Sequence, residues 1–210
     1  MSKSTYHRHK ICMLNFFANL FSPIKQKKGI FIFLLILTIA MLVLGIISGR
    51  HLDSGVISID LSNVPYIKFI SKKGGFVSLI FNSLISLSIL YLIIWICFIK
   101  PFLSPISLIF YFYFVYSQAV IFVNILLIYG FFNALILRVF LLAYMLVLIF
   151  IFLLIVLELF SLCNSHNYFK TCFNPRNSNL LHLTIILISI VLIFSFMLMF
   201  LRSYIILLIY

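Results

Sequence analysis

Acidic residues are nearly absent: Asp53, Asp60 and Glu158 stand against 15 Lys and Arg in 210 positions. A hydrolase built on paired carboxylates, or a metal centre with carboxylate ligands, has too few groups to draw on. Glycine is scarce, at 7 residues, so phosphate-cradling glycine loops are not expected either. Charged residues of both signs reach only 9%, where an average soluble domain has about 25%. A soluble chain so composed lacks the polar groups to cover its surface.

What is abundant is apolar. Hydrophobic residues make up 65% of the chain, 25 of them phenylalanine. The composition reads as an all-α integral membrane protein, a bundle of five transmembrane helices. Residues 30–48 run 19 positions without a charge, and 76–99 give a second span of 24. A membrane helix needs about 20 such residues. Pro101 and Pro105 bracket a short turn, because proline cannot donate the helical hydrogen bond. Residues 106–160 then hold only Arg138 and Glu158 as charges. One helix of that length would be about 80 Å long, far beyond a hydrocarbon core of about 30 Å. It must fold back, and the available turn chemistry is Tyr129-Gly130-Phe131-Phe132-Asn133. The spans are therefore expected near 106–128 and 134–160, and a last one near 181–201. A β-barrel is excluded because the apolar runs do not alternate with polar residues.

Charge sets the expected orientation. The tail 1–28 carries Lys3, Arg8, Lys10, Lys25, Lys27 and Lys28 and no acid. With the tail in the cytoplasm, Lys100, Lys170 and Arg176 fall on the same side. The opposite loop, 49–75, holds Arg50, Lys68, Lys72 and Lys73. The positive-inside rule thus favours a cytoplasmic N-terminus and, with five spans, an outside C-terminus in the cell membrane. The first span, with its 19-residue core, is longer than the about 7–15 residues of a signal peptide and is read as an uncleaved anchor. Within the basic tail, Leu14, Phe17 and Phe21 recur at helical spacing, as in a helix lying on the inner leaflet. The lipid bilayer is the first partner implied. No nucleic-acid partner is expected.

The candidate sites divide into chemistry and packing. His51 with Asp53 has the makings of an acid–base pair, but no nucleophile or second carboxylate accompanies it, so the two are read as helix-exit residues. Cys163, His166 and Cys172 form Cys-x2-His-x5-Cys, with His182 nearby in sequence. Structural zinc wants four ligands, usually in closer Cys pairs, so neither metal nor disulfide is expected. No catalytic residue and no cofactor is assigned. Arg138 and Glu158 lie 20 positions apart, about 30 Å along one helix, and are expected to reach the membrane interface separately. Gly45 and Gly49 end the first span as a small-xxx-small pair, which lets another helix approach closely. Asn82, Gln118 and Asn124 lie deeper, where side-chain amides can hydrogen-bond across helices. These five residues are the expected helix-packing set.

The layout resembles a known family. A basic tail leads to an apolar helix ending Gly45-x-x-x-Gly49, then an outside loop, then a helix opening with Phe81-Asn82 and carrying Trp95. The tip Gly130-Phe131-Phe132 precedes a long fourth helix, and a polar loop precedes the last. From about residue 20 onward this resembles the stage II sporulation protein M family, five-helix membrane proteins of endospore-forming bacteria. Where that family often carries glycines on the third helix, this chain reads Tyr116-Ser117-Gln118-Ala119-Val120. The resemblance implies a non-enzymatic scaffold that localises peptidoglycan hydrolases, the stage II sporulation proteins D and P, during engulfment of the forespore. The competing class is a permease-like subunit of a transporter working with a separate ATPase, which would need a polar or charged path.

Overall fold

The computed structural model describes residues 24, 25, 27–51, 75–128, 135–163 and 179–209. The expected interfacial helix of the tail, the loop 52–74, the tip at 129–134, His166 and Cys172 lie outside them. Five long helices follow one another: α1 (Lys28–His51), α2 (Phe76–Cys97), α3 (Ser104–Ile128), α4 (Leu135–Leu162) and α5 (Leu180–Ile209). No strand occurs among the described residues. Each helix contains a stretch of at least 21 residues long and apolar enough to cross a membrane.

Several boundaries differ from the sequence reading. α1 keeps Gly49, Arg50 and His51 in the helix, so His51 is its last residue and not part of a loop. α5 runs through Arg202 to Ile209, well past the expected end at 201. The turn between α2 and α3 lies two residues earlier than expected. Phe98 and Ile99 donate to the carbonyls of Trp95 and Ile96, a 3₁₀ turn spans Pro101–Leu103, and α3 starts at Ser104. Pro105 is therefore the second residue of α3, where a missing N–H has no helical partner to lose. So short a connection makes α2 and α3 antiparallel neighbours.

α4 is the central element. It packs on α3, α5 and α1, while α2 bridges α3 and α5 on the far side, and α1 lies along α3. In its second half, residues 151–159 are buried without interruption, including Phe152, Ile155 and Leu159. A helix apolar all round can take that place. Aromatic rings lock its neighbours to it. Phe114 of α3 meets Phe152 at 5.0 Å, Phe98 meets Phe160 edge-on at 4.9 Å, and Phe194 of α5 stacks on Tyr144 at 3.5 Å. The opposite faces of α1, α2 and α5 expose Ile36, Ile39, Ile89, Leu92, Ile193 and Phe200, as lipid-facing helices do.

Candidate functional site

The closest approach in the bundle is between α1 and α3. A Cβ on Gly45 would lie 2.7 Å from the Ala119 Cβ and 2.7 Å from the Tyr116 carbonyl oxygen. A Cβ on Gly49 would lie 2.9 Å from the Val123 Cβ. Real Cβ atoms do not sit so close, so the two glycines set the helix separation. α3 carries no glycine, yet the backbones still meet closely. The first helix supplies the small residues, and Ala119 is the one small side chain needed opposite. About two turns nearer the start of α1, the Thr38 hydroxyl lies 3.0 Å from the buried Tyr111 hydroxyl. Thr38 also donates to the Leu34 carbonyl at 2.7 Å. Its one proton being used there, Tyr111 is the donor across the helices.

A polar cluster closes the end of the bundle where α1 begins and α4 ends. The Lys27 ammonium donates to the Phe160 carbonyl at 2.8 Å. That carbonyl is one of the last four of α4, which lack helical partners, and a cation there also offsets the helix dipole. Glu158 is 6% exposed. Its carboxylate accepts the Asn179 backbone N–H at 3.3 Å, and the Lys27 charge acts on it. Asn179 in turn opens α5, its carbonyl accepting the Leu183 N–H. The sequence reading sent Glu158 to the interface by itself. The structure instead buries it between helix ends, because the start of α5 and Lys27 occupy the space its side chain would cross. Cys163, also buried at this end, is a free thiol among the described residues; burial pushes that thiol up while the nearby Lys27 charge opposes the shift.

Two of the three amides bond differently from the expectation. Asn82 is exposed on α2, and its amide donates to Ser78 Oγ on the same helix at 3.1 Å. Asn124 donates to its own Val120 carbonyl at 2.9 Å. Gln118 is half-buried on α3 beside Ala119. The bonds of Asn82 and Asn124 thus run within a helix, since a carbonyl or hydroxyl one turn back is always in reach. Hydroxyls do some of the cross-helix work that the amides were assigned. Besides Thr38 and Tyr111, Thr184 of α5 reaches the Tyr91 hydroxyl of α2 at 3.1 Å. Hydroxyls three or four residues from a carbonyl are the sequence signal for such bonds, but it does not say which face they occupy.

His182 is exposed, and no group of three His, Cys, Asp or Glu comes together among the described residues. Between α2 and α5, a cavity of about 50 Å³ is lined by Leu84, Ser88, Tyr91, Thr184 and Leu187. That is room for a few waters, where small-molecule sites take about 300–1,000 Å³. The arrangement can hold helices together and present side chains to other membrane proteins. No family model, curated protein or solved structure matches this chain.

Proposed function

We propose that this protein is a membrane scaffold that recruits or localises peptidoglycan hydrolases during forespore engulfment, as the resemblance to stage II sporulation protein M implies. The observation that carries the reading is the uninterrupted burial of residues 151–159 at the centre of the bundle. A permease-like subunit would need a polar route there, and this stretch of α4 offers one carboxylate, already hydrogen-bonded to Asn179. In this reading the N-terminus is cytoplasmic, the C-terminus lies outside, and hydrolases resembling stage II sporulation proteins D and P are held beside the outer face.

The test is affinity purification from mildly solubilised membranes of sporulating cells. Co-purifying wall hydrolases support the scaffold. A nucleotide-binding subunit in their place supports the permease alternative. Purified protein alone should release no muropeptides, and His51→Ala and Asp53→Ala should retain function. Loss of function in either variant, with the protein still abundant and assembled, would replace the scaffold by an active-site reading.

A further inference from the structure

Five helices account for the inward face of α2 and leave its outward face uncovered. Leu79, Ile94 and the adjoining Phe98 are buried on the inner side. On the outer side, Ser78, Asn82, Ile85, Ile89, Leu92 and Ile96 are exposed. They recur at alternating steps of four and three. That is the spacing of the contact seam in a left-handed two-helix coil, with two polar residues, Ser78 and Asn82, ahead of four apolar ones.

The exposed aliphatics alone would suit lipid. Asn82 does not. It lies six residues into α2, about 9 Å below the start of the helix, within the hydrocarbon layer. A side-chain amide has two N–H donors and an acceptor oxygen. One N–H reaches Ser78 Oγ. Among the described residues nothing donates to Asn82 Oδ1, and hydrocarbon offers no water to replace such a donor.

We propose that the exposed face of α2 is the interface for a second copy of this chain, with Asn82 paired to Asn82. The occupant follows from symmetry and depth. Two copies inserted the same way pair their α2 helices in parallel, so like residues face each other at the same depth. The amide is self-complementary: the free N–H of one copy meets Oδ1 of the other, twice over. Ser78, one turn away, is small enough to let the backbones approach. A different partner would need its own donor and acceptor at this level, which nothing about α2 guarantees. In a two-fold dimer the match is built in. The interface stands whether or not the protein recruits hydrolases.

The experiment uses the full chain in lipid bilayers, with its four native cysteines replaced by serine or alanine. Ile85→Cys and Ile89→Cys, which leave Asn82 in place, should form oxidative dimers rapidly, whereas Ile39→Cys, on the exposed face of α1, should not. In a cysteine-free chain labelled for energy transfer, Asn82→Leu should weaken dimerisation by about 5- to 30-fold, the range for one to two kcal/mol from interhelical polar bonds. Ser189→Leu, exposed on α5, should leave it unchanged. Because Asn82 faces outward, Asn82→Leu should preserve the thermal stability of the monomer. The interface is overturned if Asn82→Leu dimerises as before, if Ile85→Cys cross-links no faster than Ile39→Cys, or if Ile85→Cys captures only another protein.

Discussion

Gly45 and Ala119 face each other so closely that a Cβ on the glycine would come within 2.7 Å of the alanine Cβ. The second obstacle is the Tyr116 carbonyl, also at 2.7 Å, and backbone cannot rotate out of the way. Gly45→Ala is therefore expected to cost about 1–3 kcal/mol of stability, the range for overpacking, and Gly45→Leu more. Gly49→Ala meets a side chain, Val123, and should cost less. Gly29→Ala has nothing within 4 Å and should be neutral. Thermal unfolding in detergent ranks the four variants. Equal melting temperatures for Gly45→Ala and Gly29→Ala would show that α1 does not sit on α3 at this distance.

The Thr38–Tyr111 bond should respond asymmetrically. Tyr111→Phe removes the donor and leaves Thr38 bonded to Leu34, so the loss should be about 1 kcal/mol or less. Thr38→Val strands the buried Tyr111 hydroxyl and should cost about 1–3 kcal/mol. The double variant should be less destabilised than the two singles added together. Additivity in that cycle would mean that the hydroxyls are not coupled.

At the other cluster, the geometry of Glu158 matters more than its charge. Glu158→Gln keeps an oxygen for the Asn179 N–H, whereas Glu158→Leu removes it. Gln should therefore be the milder change, with Leu costing about 1–3 kcal/mol. Lys27→Met frees the Phe160 carbonyl and should also destabilise. Heat-induced loss of the monodisperse peak in size-exclusion chromatography measures all three. A Leu variant as stable as Gln would remove the hydrogen bond from the account.

Cys163 gives a pH-dependent readout. Burial raises its thiol above the usual range, so the protonated, unreactive form dominates at neutral pH. With the other cysteines replaced, maleimide labelling of folded protein should be slow at pH 7 and rise only in alkali. The Lys27 charge favours the thiolate, so Lys27→Met should move that rise to still higher pH. A shift toward lower pH would contradict the placement of Lys27.

The number of spans was legible because long uncharged runs and prolines are properties of the chain itself. Gly45 and Gly49 pointed to a packing face because small residues have a use in membranes that large ones lack. The orientation of the other helices was not legible. When both the protein-facing and the lipid-facing sides are Leu, Ile and Phe, periodicity carries no direction. Asn82 has the residue type of a packing group, but the sequence does not say that it lies on the outward face. Glu158 was sent to the interface because sequence could not place the start of α5 over it. The centrality of α4 was equally hidden, since its composition differs little from that of α1.

The enclosure of residues 151–159 also constrains biogenesis. α1 to α3 leave the ribosome first and can pair at once, but α4 then enters the bilayer with one flank bare. Leu183, Leu187 and Val191, which join α4 in the buried core, belong to α5, which follows α4 in the chain. Until α5 inserts, the bundle is an open crescent, and a chaperone or a quality-control protease can read its exposed flank. The insertion of α5 is thus the step that closes this bundle around α4.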